Sequence, residues 1–253
     1  MLRVRPILHT PHSTGWAALF TALGLSEIRV ADIDRATGLG VAGGRCFAAG
    51  SGRVLLSGAD TFETQLGFEV RDVRKFAQWT ISDGTPVRLE TEAVGSGEVT
   101  IAEIVAPDGV SFGARPVDSL ITAGTPESPG LRPHGFAVVA RWGTPDVFGA
   151  TSTLANIGAK PESANPAEGR ARYRAKHGGY VDVAENDVPE VGFSLEYAGS
   201  ALALQERLAQ YGYDVKVLDR EPCPVLSVGH PDGGRLQVTC TRGNDVAGEP
   251  VGS

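Results

Sequence analysis

The side chains able to do chemistry are few, and their spacing is restrictive. Five histidines and three cysteines are scattered over 253 residues. His9 and His12 have H-x-x-H spacing, but Pro11 between them forbids the helix that would bring both rings to one metal ion. His177 and His230 fall in the turn-rich stretches "KHGGY" and "GHPDGG", where an exposed ring with no placed partner does nothing chemical. Cys46, Cys223 and Cys240 make no C-x-x-C pair and lie in or beside apolar runs, as reduced buried thiols do. There is no G-x-S-x-G, and "GLGVAGG" at 38–44 is not followed by the helix that a phosphate-binding glycine loop requires. His134 stands apart because it opens the apolar run "HGFAVVARW", where a lone polar ring must find a partner, the backbone at a strand start being one. Gln237 stands in the middle of "RLQVTCT", a strand with one wet and one dry face that follows the turn "HPDGG". In "ETQLGFEV", alternation puts Gln65 and Glu69 on one side; Glu69 there is a general base, a hydrogen-bonded residue lining a cup formed by the sheet, or a surface charge at a strand end.

These residues are positioned by a pattern that repeats four times. Residues 3–58 read strand ("RVRPILH"), helix ("TGWAALFTALGL"), strand ("SEIRVADI") and Gly-rich hairpin ("GGRCFAAGSGRVLLSG"), with the apolar period changing from 2 to 3.6 and back. Residues 63–117 repeat the order, with Asp72 as helix N-cap and Gly84 as its stop. "SLITAGTPESPGLR", at 119–132, has the composition of a linker. A third unit follows with "HGFAVVARW", a helix opened by Thr144 and Pro145, and "GRARYRAKHGGYVDVA". The fourth has "EVGFSLEYA", the amphipathic "SALALQERLAQYG", "YDVKVLD" and the hairpin ending in "RLQVTCT". The predicted class is α+β, with four βαβββ units paired into two open curled-sheet cups: a first domain at 1–118, a linker at 119–132, a second domain at 133–241 and a loose tail at 242–253. A ferredoxin-like α+β array shares many of these local signals.

In unit order, in the helix end "ALFTALGL" and in the hairpins "APDGVSFGA" and "HPDGGRLQV", the chain resembles the vicinal oxygen chelate superfamily, which includes glyoxalase I, extradiol dioxygenases and bleomycin-binding proteins. The resemblance covers nearly the whole length. It implies that ligands bind inside each cup and that a divalent ion takes inward-facing ligands from the first and last strand of each unit. Carried onto this sequence, the second pair offers His134, Asp182, Val191 and Gln237, and the first pair Val4, Leu55, Gln65 and Gly113. Gln237 keeps an oxygen but not the charge of the usual glutamate, and Asp182 is a methylene shorter than one, so the set His134, Asp182, Gln237 is poor for a catalytic ion that wants three protein ligands. Alternation from His134 and Val191 aims Phe136, Phe193 and Leu195 into the cup, with Tyr197 a further pocket residue, while Trp16, Trp79, Trp142 and Phe20 read as core.

The expected function is therefore a glyoxalase/bleomycin-resistance-like protein binding a hydrophobic or aromatic metabolite, with no cofactor, for sequestration or a tailoring step. The alternative is a metal-dependent lyase or extradiol-type dioxygenase using one divalent ion at His134, Asp182 and Gln237. A formal charge of -7 without a basic cluster argues against a nucleic-acid partner. No apolar run reaches membrane-spanning length and the N-terminal one breaks at His9 and Pro11, which predicts a cytoplasmic protein, monomer or homodimer, without membrane contact.

Overall fold

Pro6 splits the first predicted strand in two. It has no N–H to give a ladder, and in the computed structural model, which describes residues 1–28, 44–94, 97–117 and 135–241, the first repeat begins with β1 (Leu2–Val4) and β2 (Ile7–Thr10). It continues through α1 (Ser13–Leu23), β3 (Ser26–Ile28), β4 (Arg45–Ala48) and β5 (Arg53–Gly58). The second repeat is β6 (Glu63–Gln65), β7 (Gly67–Val70), α2 (Val73–Ser82), β8 (Val87–Val94), β9 (Gly97–Val105) and β10 (Ser111–Pro116). β2 pairs with β6, and β1 with β7, so the strands form two sheets, β3-β4-β5-β2-β6 and β1-β7-β10-β9-β8.

The second half shows the same order unbroken. β11 (Phe136–Thr144), α3 (Val147–Asn156), β12 (Lys160–Asn165), β13 (Arg170–Arg174) and β14 (Tyr180–Glu185) are followed by β15 (Glu190–Tyr197), α4 (Ala201–Gln210), β16 (Val215–Leu218), β17 (Val225–Gly229) and β18 (Arg235–Cys240). They form one eight-stranded sheet, β12-β13-β14-β11-β15-β18-β17-β16. The two repeats meet antiparallel at β11 and β15, and in each the first strand pairs parallel with the last. Open sheets with α+β content are what the sequence pattern requires.

Local signals fix the helices. The Asp72 carboxylate accepts from the Lys75 N–H (3.0 Å) and Ser200 Oγ from the Ala203 N–H (3.3 Å); α1 ends at Gly24, whose φ of 92° is costly for other residues. The third helix is capped by Asp146, which accepts from the Gly149 N–H at 2.8 Å, two residues beyond the predicted opening at Thr144.

One apolar core serves both halves. Trp16, Phe20, Phe47, Phe68, Phe112 and Trp142 are fully buried in a single cluster running from Leu2 to Cys240. Burying each such ring contributes roughly 1.5–3 kcal/mol. The halves are also stitched by backbone: the Val4 N–H donates to the Gly178 carbonyl (2.9 Å), and the Val138 N–H to that of Ser51 (2.8 Å). Gly179 has φ of 85°, and a Cβ there would lie 2.5 Å from Val4 Cβ, so only glycine lets the two halves approach at this point.

Trp79, expected in the core, is 68% exposed on α2, whose buried face is Val73, Phe76, Ala77 and Thr80. Cys46 and Cys240 are buried free thiols, burial pushing both up to about 11, and Cys223 is half-buried. His134, the first six residues of "GLGVAGG", the 119–132 linker and the 242–253 tail lie outside the described residues. No helix among the described residues is long and apolar enough to cross a membrane.

Candidate functional site

The face a residue occupies follows from what surrounds it. In the eight-stranded sheet, Val138, Ala140 and Trp142 of β11, Leu195 of β15, Val181 and Val183 of β14, and Leu236 and Val238 of β18 all join the core beneath the helices. Their neighbours in sequence face the other way, into the cup: Val139 and Arg141, Ser194 and Glu196, Asp182, Gln237. Alternation counted from His134 and Val191 therefore runs one residue out of step on β11 and β15. Phe136 and Leu195 are core residues, and Phe193 and Tyr197 pack half-buried against the core, with Tyr197 stacked on Phe136 at 4.5 Å. The same slip applies to Val4, which is core, while Leu55 does face the first cup in a small separate cluster with Ile7, Ile28 and Cys46. A single-residue slip exchanges the faces of a whole strand.

Asp182 and Gln237 do face inward, on the last strands of the two repeats. Arg172, opposite Asp182 across β13 and β14, gathers three carboxylates: its Nη1 is 2.7 Å from Glu196 Oε1 and 3.4 Å from Asp182 Oδ2, and its Nε donates to Glu162 Oε2 at 2.9 Å. Its guanidinium also lies 4.1 Å over the Tyr180 ring. Asp182 Oδ1 is 3.3 Å from Arg172 Nη1 but off the hydrogen-bonding direction, so this buried oxygen has no donor. Burial raises the Asp182 carboxyl above its ordinary value of 3.8; Arg172 and Arg141 oppose the rise and Glu196 and Glu162 add to it. Gln237 Nε2 donates to Ser227 Oγ (3.3 Å), which also accepts from Arg235 Nε (3.0 Å), and this fixes the amide. Gln237 Oε1 is buried without a donor, like Asp182 Oδ1.

Of the inward residues on the two central strands only Glu196 has metal-ligand chemistry, and it is already held by Arg172 at 2.7 Å. Arg141 stands on β11 in register with Asp182 on one side and Gly192 on the other, and Ser194 stands beside Gln237. The inward set is thus two carboxylates, Asp182 and Glu196, both facing Arg172 and the first also Arg141, with one neutral amide and one hydroxyl. A divalent ion draws much of its affinity from anionic or imidazole ligands and is repelled by Arg141 and Arg172, so these residues do not fit it. No group of three His, Cys, Asp or Glu among the described residues is placed to hold one.

The other predicted residues lie in the first half. Gln65 Oε1 faces His9 Nε2 at 3.5 Å. Glu69 is neither a surface charge nor a poised base: it is 1% exposed and bonded to Arg3 (2.9 Å), Arg5 (3.3 Å) and Arg53 (3.0 Å). Burial works to raise its carboxyl, but the three guanidiniums outweigh that and hold it below 4.5.

Between the halves lies a cleft of about 940 Å³, bounded by β6, the start of β15 and the hairpins carrying Asp108 and His230. His230, expected to be an exposed bystander, is half-buried with its ring 4.7 Å from that of Trp16. Both hairpins clasp the opposite half. Asp108 Oδ2 accepts from Trp142 Nε1 (2.8 Å); Asp232 accepts from Trp16 Nε1 (2.6 Å), Thr10 Oγ1 (2.8 Å) and His12 Nδ1 (2.8 Å). The sequence shows "PDG" twice, at 107–109 and 231–233, as turn chemistry; that each aspartate reaches an indole in the other half is a long-range fact no local pattern carries.

No family model matches the chain, and no curated protein matches it in sequence. Solved structures match it over most of its length. The 2,3-dioxygenase LapB from Pseudomonas sp. KL28 is 14% identical with a TM-score of 0.60, covering 94% of this chain and 90% of that one. The Mn(II)-bound glyoxalase from Novosphingobium aromaticivorans is 14% identical with a TM-score of 0.58, covering 94% and 80%. The 2,2',3-trihydroxybiphenyl 1,2-dioxygenase from Sphingomonas wittichii strain RW1 is 12% identical with a TM-score of 0.54, covering 93% and 89%. The chain has the fold of the vicinal oxygen chelate superfamily, as glyoxalases and extradiol dioxygenases do, and at these identities the likeness is one of fold.

Proposed function

We propose that the chain binds a small metabolite in its second cup without a divalent metal, to sequester it or to assist a tailoring step. The observation that carries this reading is the pair of inward-facing buried oxygens, Asp182 Oδ1 and Gln237 Oε1, neither with a donor. Buried acceptors are rarely left unpaired, and each costs roughly 1–3 kcal/mol when they are. Two of them on the ligand-facing side of one cup call for a ligand that brings hydrogens, through hydroxyl or amino groups. This changes the sequence expectation of an aromatic wall: Phe136 and Leu195 are core, and what faces inward is polar. Asp182, whose carboxyl burial raises, is the group suited to accept a proton from such a ligand. The neighbours' names include a dioxygenase and a Mn(II)-bound glyoxalase, but the guanidinium of Arg141 and the amide of Gln237 support the metal-free reading here.

Gln237→Ala is expected to weaken binding of a hydroxylated ligand about tenfold, or about 1.4 kcal/mol, while lowering the melting temperature only slightly, because the acceptor it removes is unpaired in the free protein and the one bond lost is the long one from Nε2 to Ser227 Oγ. Thermal melting and titration with a panel of hydroxylated aromatic metabolites check both halves of that statement. A variant that melts early yet keeps every ligand response makes Gln237 scaffold. Elemental analysis after purification without chelator is expected to show Zn, Fe, Mn and Ni well below stoichiometric. Stoichiometric metal lost from Asp182→Asn and Gln237→Ala overturns the reading in favour of a metal-dependent lyase or dioxygenase.

Asp182→Asn carries a pH signature. Because the folded-state value lies above 3.8, the Asp182 contribution to stability is full below that pH and is lost as pH rises through the raised value. The asparagine variant escapes this loss, so its melting temperature relative to the parent should climb between acid and neutral pH. A constant difference across that range contradicts the assignment.

A further inference from the structure

The cleft between the halves has features the second cup does not explain. Its floor is the Trp16 indole, and its rim is Phe62 and His230, which touch the indole and each other with ring centroids 5.7, 4.7 and 5.1 Å apart. Phe62 is 40% exposed at the end of a bend, although a phenylalanine on a free surface forfeits apolar burial. The rim is preorganised: Asp232 holds Trp16 by its Nε1, and the Asp232 N–H donates to His230 Nδ1 (3.3 Å). That bond leaves the imidazole proton on Nε2, a donor for which no acceptor is present among the described residues. Phe193 lines the cleft from the other half.

The charged lining is asymmetric. Arg235 is already bound to Ser227 and Asp214, and Asp108 to Trp142 and the Val110 N–H. Glu63 and Glu190 are exposed, so water satisfies them. Arg141 acts on Asp182 through its charge but, alone among the cleft's cations, makes no hydrogen bond and no close ion pair with the described residues. A planar aromatic rim, an unused imidazole N–H and an unused guanidinium fork suit a flat ring bearing an anion, and the fork matches a carboxylate. We propose that this cleft is a second binding site, adjoining the cup at Arg141, for a planar aromatic carboxylate whose ring lies on Phe62, His230 and Phe193 and whose carboxylate meets Arg141. A cavity of this size holds a bicyclic ring.

Calorimetric titration of the full chain at pH 7.5 with 2-naphthoate, 2-naphthol and 2-naphthylmethylamine compares one ring system as anion, neutral and cation. The acid is expected to bind at least tenfold more tightly than the other two. Phe62→Ala and Arg141→Gln should each weaken it at least fivefold, and Gln237→Ala should leave it unchanged, which separates this site from the cup. If Phe62→Ala proves unstable by circular dichroism, Phe62→Leu keeps the bulk without the ring face and should still lose affinity. The proposal is overturned if the amine binds as tightly as the acid, which would assign the site to Glu63 and Glu190 instead. It is equally overturned if the acid gives no heat, or if the Phe62 and Arg141 variants bind it like the parent.

Discussion

Replacing Glu69 by glutamine is expected to destabilise the chain by roughly 3–5 kcal/mol, the usual cost of breaking a buried ion pair from one side. At about 2–4 °C per kcal/mol for a chain of this size, the melting temperature should fall on the order of 10 °C. The carboxylate is 1% exposed and stands in register between Arg3 on β1 and Arg115 on β10. Arg3, Arg5 and Arg53 all reach it, and the side chains of Arg5 and Arg53 are themselves 12% and 10% exposed. The glutamine keeps the shape and one acceptor but leaves those guanidiniums without the charge that held them together. Because Arg3 also donates to the His177 carbonyl of the second half (3.0 Å), the loss should reach the contact between the halves. A drop smaller than that of an ordinary surface substitution, by thermal or denaturant unfolding, would remove the cluster from any structural role.

The effect should also depend on pH, with a determined sign. Glu69 has a folded-state value below 4.5, so its stabilisation is complete above that pH and is lost as pH falls through the depressed value. The difference between parent and Glu69→Gln should therefore be largest at neutral pH and shrink in acid. Asp182, with its raised value, runs the other way, so the two variants are each other's control.

How far the sequence reached can be traced through particular residues. The βαβββ order was legible because its periods and caps are local: Asp72 and Gly84 mark α2 with no knowledge of the rest. The inward positions of Asp182 and Gln237 were legible too, since each lies in an alternating strand whose dry face is continuous. β11 and β15 were not, because they are central strands with apolar residues on both faces, and "FAVVA" gives no alternation from which to choose a side. The arginines were also missed. "RARYR" shows Arg170, Arg172 and Arg174 on one face, but that Arg172 would gather Glu162, Asp182 and Glu196 depends on strands up to 24 residues further along the sequence. In the first half, Glu69 could be read as a general base, a cup residue or a surface charge, and the folding of β1, β5 and β7 into one neighbourhood instead buries it among three arginines.

Asp232→Ala tests whether the repeated "PDG" turns are more than turns. Among the described residues Asp232 is the sole acceptor for Trp16 Nε1 and Thr10 Oγ1, both in residues only 1% exposed, so its removal strands two buried donors at roughly 1–3 kcal/mol each. His12, on an exposed side chain, adds little to that. A loss of about 3 kcal/mol is expected. Asp232→Asn, which keeps one side-chain oxygen, should recover part of it. Burial works to raise the Asp232 carboxyl, but the bonds from His12, Trp16 and Thr10 hold it below 3.8, so the aspartate's advantage over asparagine should fade in acid. Asp108→Ala strands a single indole, that of Trp142, and should cost about half as much. The two clasps bond to different indoles through different hairpins, so their losses should add in the double variant. A double variant that melts like either single one would mean that the halves separate once one clasp opens. One that melts like the parent would mean that the shared apolar core alone holds them, and that the aspartates serve only their turns.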